Sequence, residues 1–193
     1  MALREIIRYP DPLLRKKSEK VTVFDQNLKT LVEDMAETMY WSNGIGLAAI
    51  QIGIKERVII IDIGDLDVNS ETLEGDDEAE ASLAKKRRVK KLEVFINPEI
   101  LEQDGEIEYE EGCLSVPGVT AIVCRREHLK LRYQDLLGVS HEIETHGLRS
   151  IVIQHEMDHC DGVVFPDRLG SLQKMMLLNK YKKLQQKEKV ESE

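Results

Sequence analysis

The sequence predicts an α+β chain, and three observations carry that prediction. Five short strand-like runs follow one another between residues 94 and 144, with turn residues between them. A helical pattern precedes them at residues 28–39, and two more follow from Gly147 and from Ser171. At 193 residues the chain is long enough for one domain with its own core.

Taken in order, residues 9–17 hold two prolines and a basic run and are expected as an extended arm. Asp25 is placed to cap the helix behind it, in which Leu28, Leu31, Val32, Met35 and Met39 recur on one face. Asn43-Gly44 should end that helix. The stretch Gly44 to Gly53 carries a G-x-G, but it follows a helix, lacks a third glycine and has no P-loop lysine. A phosphate loop is therefore a poor reading, and glycines that admit a peptide backbone are a better one.

Arg57 to Ile63, rich in Val and Ile, is expected as a buried strand. Residues 64–91 change character, with an acidic block at 65–80 followed by a basic block at 85–91. They read as a charged insertion, and the acidic run as a solvated face rather than a second metal site. Strands are expected at Val94 to Leu101, Glu106 to Glu110, Val119 to Cys124, Leu129 to Tyr133 and Val139 to Glu144. Asp135-Leu136-Leu137-Gly138 is the candidate hairpin turn. The helix from Gly147 to Gly162 is closed by Phe165-Pro166-Asp167. A last helix starts at Gly170 or Ser171, with Leu172, Met175, Met176 and Leu184 as its apolar residues, and frays over 186–193.

A net charge of −9 argues against a general nucleic-acid or membrane-surface binder, and no DNA partner is expected. No run of 18 apolar residues is present, so no membrane span is expected, and no signal pattern opens the chain. Three cysteines fit a reducing compartment rather than a disulfide framework. The expected location is the cytoplasm of a bacterium, with a processed organellar protein as the alternative.

The run Gln154-His155-Glu156-Met157-Asp158-His159 lies within the helix from Gly147. At roughly 100° per residue, histidines four apart project about 40° from each other and reach one ion. Glu156 falls about 80° to one side, within reach of a water on that ion. This is the H-E-x-x-H pattern of two ligands and a general base. Two surface histidines would give the same spacing. Leu148, Ile151 and Val152 continue the ligand face into an apolar one, which favours a partly buried site with a hydrophobic wall. A plain amphipathic helix would give that stripe too. Met157 points away, and His128, His141 and His146 are read as non-ligands.

A catalytic site of this kind uses three protein ligands. In the extended motif H-E-x-x-H-x-x-G-x-x-H the match holds to Gly162, but Phe165 stands where the third histidine should be. No glutamate follows before Glu188. The third ligand should come from upstream, and Cys113 in Glu110-Glu111-Gly112-Cys113-Leu114-Ser115-Val116-Pro117-Gly118 is the candidate. A thiolate suits zinc or iron(II), although a free cysteine is more often a small buried hydrophobe. Cys160 projects about 120° from the ligand direction. Cys124 sits in an apolar run and reads as strand filler.

Three segments in this order resemble the peptide deformylases. They are Gly44-Ile45-Gly46-Leu47-Ala48-Ala49-Ile50-Gln51, Glu111-Gly112-Cys113-Leu114-Ser115, and His155-Glu156-Met157-Asp158-His159. The opening Tyr9-Pro10-Asp11-Pro12-Leu13-Leu14-Arg15 is similar to that family's as well. The resemblance spans about residues 3–180, apart from the insertion.

The resemblance implies mixed or antiparallel β-sheets around a central metal-binding helix, with a C-terminal helix, in a single catalytic domain over residues 1–193. It implies removal of the formyl group from the N-terminal N-formylmethionine of newly made polypeptides, with release of formate. By motif position, Cys113, His155 and His159 bind one divalent metal, iron(II) in the cell, with zinc, nickel or cobalt as substitutes. Glu156 is the acid/base, and Gln51 and the Leu114 N–H stabilise the oxyanion. Gly44, Ile45, Gly46, Glu111 and Gly112 border the substrate. Leu148, Ile151, Val152 and Ile45 are candidates for the methionine pocket, with Tyr109 at its edge. The C-terminal helix and the basic block are candidates for ribosome contact. Many relatives carry an arginine shortly after the cysteine segment, where this chain has Gly118-Val119-Thr120, so substrate preference beyond methionine is expected to differ. The competing readings are an H-E-x-x-H metallopeptidase, an amidohydrolase with Cys113 as nucleophile, and a structural metal clip, which leaves Glu156 without a purpose.

Overall fold

The computed structural model describes residues 2–64 and 91–191; the predicted acidic block and nearly all of the basic block lie outside these. Among the described residues, helix α1 (Gln26–Trp41) precedes strands β1 (Gly46–Ala48), β2 (Val58–Ile61), β3 (Glu93–Asp104), β4 (Ile107–Cys113), β5 (Val116–Arg125), β6 (His128–Gln134) and β7 (Ser140–His146). Helices α2 (Gly147–Cys160) and α3 (Ser171–Glu191) follow. Five strands form an antiparallel sheet in the order β1-β2-β3-β6-β7, and β4 pairs with β5 in a separate hairpin.

Strand β2 shows how the sheet is held. Its residues alternate in direction, as a period of two demands. Ile59 and Ile61 pack with Val152, Ile153 and Met157 of α2, whereas Val58 and Ile60 pack with Val32, Met35 and Met39 of α1. The strand is therefore buried on both faces and reads as an unbroken apolar run. Helix α1 starts where expected, because the Asp25 carboxylate accepts from the N–H groups of Asn27 and Leu28. Asn43, at φ 54°, turns the chain out of it. The Asp135–Gly138 turn joins β6 to β7, with the Asp135 carboxylate accepting from the Leu137 and Val139 N–H groups.

Several expectations are corrected. The arm at residues 9–17 contains a short 3₁₀ turn, Pro12–Arg15, because Asp11 accepts from the Leu13 N–H and a proline opens the turn. Gly46–Ala48 forms a three-residue strand that no alternation in the sequence announced. Cys124 is exposed, since from Val119 onward the odd-numbered β5 residues such as Val119, Val123 and Arg125 face inward and the even-numbered ones face out. In α3 the buried side chains are Leu177 and Tyr181, with Leu184 half-buried, while Leu172, Met175 and Met176 face solvent. Those three project roughly 100–200° around the helix from Leu177 and so miss the stripe that meets β5. Helix α3 runs to Glu191, and Glu188 pairs with Arg8 at 3.2 Å.

Candidate active site

Helix α2 runs through the middle of the protein, and every residue from Ser150 to Cys160 is buried. A helix covered on all sides has no polar face to give to water, so its polar side chains must find partners inside. His155 and His159 share one face, with ring centroids 5.1 Å apart. The β4–β5 hairpin delivers Cys113 to the same point, where its Sγ lies 3.2 Å from His159 Nε2. One donor atom from each of Cys113, His155 and His159 falls within 4.8 Å of the others. The segment around Cys113 is thus the hairpin itself, with Cys113 paired to Val116 across Leu114 and Ser115.

His155 Nδ1 lies 2.8 Å from Glu111 Oε2, which turns the other ring nitrogen toward the thiol. Phe165, which occupies the position of the absent third histidine, stacks on the His155 ring at 6.4 Å. Burial works against a charge on His155, but Cys113 and Glu111 outweigh it and raise its pKa well above the usual value. Burial, together with His155 and Arg125, pushes His159 well below. The donor set of one cysteine sulfur and two imidazoles, converging on one point, fits a divalent transition metal.

Glu156 stands beside these donor groups with its Oε2 buried and without a hydrogen-bond partner among the described residues. Burial, reinforced by the negative charges of Glu111 and Asp158, pushes its pKa up to about 7, despite His155 and Arg125. Such a carboxyl can both take and return a proton near neutral pH. Gln51 is held firmly: its Oε1 accepts from the Ala48 N–H at 2.8 Å. Its Nε2 therefore faces the site, 3.2 Å from Ser115 Oγ and 3.7 Å from Cys113 Sγ.

A cavity of about 1320 Å³ opens onto this cluster. Of the residues singled out in the sequence, Gly44, Ile45, Gly46, Gln51, Tyr109, Glu111, Gly112, Cys113, Leu114, Ile151, Val152, His155 and Glu156 line it. His159 lies behind the wall, 1% exposed. Leu148 is not in the wall; it packs against the core between α2 and the sheet.

Glu111, although it lines the cavity, is engaged through its side chain with partners behind the wall. Its Oε1 accepts from Arg125 Nε at 2.6 Å, and its Oε2 accepts from Arg125 Nη2 at 2.9 Å as well as facing His155. Burial alone would raise its pKa, but Arg125 and His155 hold it down at about 2. This carboxylate is occupied in orienting the His155 ring.

Sequence reasoning assigned no role in the site to Ser115, Phe165 or Arg168. Arg125 Nη1 lies 2.6 Å from Asp158 Oδ2. The inward period of β5, which places Arg125 in line with Val119 and Val123, is the signal that points to it.

A central helix bearing two imidazoles, a cysteine sulfur from a neighbouring hairpin and a carboxyl tuned to neutral pH define a metal-dependent hydrolase. The sequence profile described as polypeptide deformylase matches residues 3–175. A peptide deformylase of Erythrobacter litoralis is 46% identical over 192 residues, which cover 96% of this chain and 99% of that protein. The crystal structure of a peptide deformylase from Legionella pneumophila matches with a TM-score of 0.80 at 38% identity, covering 97% of this chain and 98% of that one. A peptide deformylase from Ehrlichia chaffeensis, solved in complex with actinonin, matches with a TM-score of 0.79 at 30% identity, over 95% and 98% of the two chains. The chain belongs to the polypeptide deformylase family, metal-dependent hydrolases that remove the N-terminal formyl group from new polypeptides.

Proposed function

We propose that Cys113, His155 and His159 hold one divalent metal, and that Glu156, Gln51 and Leu114 carry out deformylation beside it. The observation that carries this reading is the position of Glu156 Oε2. It is buried, without a partner among the described residues, next to three convergent donor atoms on the wall of a cavity.

A divalent ion there supplies activation of water and polarisation of the formyl oxygen. Glu156 takes a proton from the attacking water at Oε2 and gives it to the leaving amine as the C–N bond breaks, so that formate and a free N-terminus result. Gln51 Nε2 and the Leu114 N–H donate to the oxygen that gains charge. Losing one such donor typically costs about 2.7–4 kcal/mol of barrier. The donor set suits zinc or iron(II) alike, and the family resemblance favours iron(II) as the ion in the cell, with zinc, nickel or cobalt able to replace it.

Ile45, Ile151 and Val152 form the apolar wall for the methionine side chain, with Tyr109 at the rim. Gly44, Gly46 and Gly112 border the main chain. The sheet order leaves one edge of β1 unpaired within the sheet, and an extended substrate adds there as a further strand. With no arginine over 118–120, this chain differs from many relatives in what it prefers after methionine. We read residues 1–193 as one catalytic domain working in the bacterial cytoplasm on nascent chains. The outer face of α3, where Leu172, Met175 and Met176 stay exposed, is the candidate contact with the ribosome.

The test is anaerobic purification, metal analysis, and formate release from formyl-Met-Ala-Ser by wild type and Glu156→Ala. About one metal per chain in both, with formate release lost in the variant, is expected. Activity that survives chelation would instead favour Cys113 as nucleophile with His159 as base. Cleavage of unformylated peptides would favour an endopeptidase.

A further inference from the structure

We infer that Arg168 is a positioning residue for the ligand His155, acting from the surface through three buried charged side chains. The inference rests on the reading of His155 as a metal ligand. Going outward from the ring, His155 meets Glu111, and Arg125 grips both oxygens of Glu111. The remaining Arg125 nitrogen, Nη1, turns the other way to Asp158 Oδ2 at 2.6 Å. Arg168 then holds both oxygens of Asp158, with its Nε 2.9 Å from Oδ2 and its Nη2 on Oδ1. The side chains of Glu111, Arg125 and Asp158 are 3%, 3% and 10% exposed, whereas that of Arg168 is 48% exposed. Charge alternates along the row, and Arg168 at its outer end is the one charged member widely open to water.

Arg125 is shared by two carboxylates that water barely reaches. Arg168 neutralises one of them from outside, which leaves Arg125 bound to Glu111 by two bonds against one. Without Arg168 the buried part of the row holds two carboxylates and one guanidinium. Asp158 then draws Arg125 toward itself, the fork on Glu111 opens, and His155 loses the fixed acceptor that sets its ring. The same short turn, Phe165–Arg168, also carries the Phe165 ring that stacks on His155. One segment thus holds this ligand both by stacking and by charge.

The test compares wild type with Arg168→Ala, Arg168→Gln and Arg168→Lys. Zinc affinity is measured by competition with a chromophoric chelator, and the His155 ring N–H is followed by NMR in the metal-free protein. Ala and Gln are expected to lose about tenfold in affinity, the lower end of the range for groups behind a ligand, and to shift the ring signal. Lys, which keeps the charge but not the fork, should fall between wild type and Ala. Wild-type affinity with an unmoved ring signal in both Ala and Gln overturns the inference, and so does a Lys variant as weak as Ala. If Ala does not fold, the Gln and Lys pair decides in the same way. Failure of the underlying site reading looks different: wild type itself would bind no zinc or release no formate.

Discussion

A Cβ on Gly46 would overlap Glu156 Oε1 and lie 2.9 Å from its Cδ. The glycine of the Gly44–Gln51 segment is therefore required by the proposed acid/base as well as by any peptide passing over it. In Gly46→Ala the Glu156 carboxyl must move, since its neighbour is backbone of a paired strand. A displacement near 1 Å typically costs about 10²-fold in rate. Formate release should fall by about that factor while metal content stays near one per chain. Unchanged kinetics with normal metal content would show that Glu156 has room that the structure does not reveal.

Glu111→Gln keeps the shape of the side chain and removes its charge. It leaves Arg125 buried with half its partners and weakens the acceptor on His155. Breaking a buried pair typically costs about 3–5 kcal/mol of stability, and loss of an acceptor behind a metal ligand about 10–100-fold in affinity. Both effects are expected, read by urea unfolding and by chelator competition. A loss of stability alone, with zinc affinity intact, would reduce Glu111 to a structural role.

The helix that carries the site was legible because its signals are local. His155, Glu156 and His159 lie within one turn and a half, and apolar neighbours continue the same face. The Asp25 cap and the Asp135–Gly138 turn were legible for the same reason, each being a side chain satisfying N–H groups two to four residues away. The partnership of Glu111 with Arg125 was not legible. It depends on the register of the β4–β5 hairpin and on which face of β5 turns inward. The exposed Leu172, Met175 and Met176 show the opposite failure. Apolar character was read as burial, but the area of β5 available to α3 covers only the stripe through Leu177 and Tyr181.

Removing the metal should loosen the whole protein, because the three proposed ligands tie the hairpin to the central helix. An ion present at about 1,000 times its Kd contributes about 4.1 kcal/mol. Chelation is expected to lower the Tm of wild type clearly and to leave that of Cys113→Ala nearly unchanged. An equal drop in both proteins would mean that the stabilising ion sits elsewhere.

Asp167 links the turn after α2 to the N-terminal arm and to α3. It pairs with Arg15, accepts from Lys174 Nζ at 2.7 Å and caps the Val164 N–H at 3.0 Å. Burial alone would raise its pKa, but these partners bring it from 3.8 down to about 2. A carboxylate with a depressed folded-state pKa adds stability above its unfolded value, and that contribution disappears as pH falls through the folded value. The window here runs from about pH 4 down to about pH 2. Because Arg15 and Lys174 are well solvated, the contribution is on the order of 1 kcal/mol after screening. Asp167→Asn should therefore be less stable than wild type by about that much at pH 6, with the gap closing between pH 4 and pH 2. Urea unfolding of both proteins across that range reads it directly. A gap that stays constant down to pH 2 would assign the loss to the capping contact with Val164 rather than to charge.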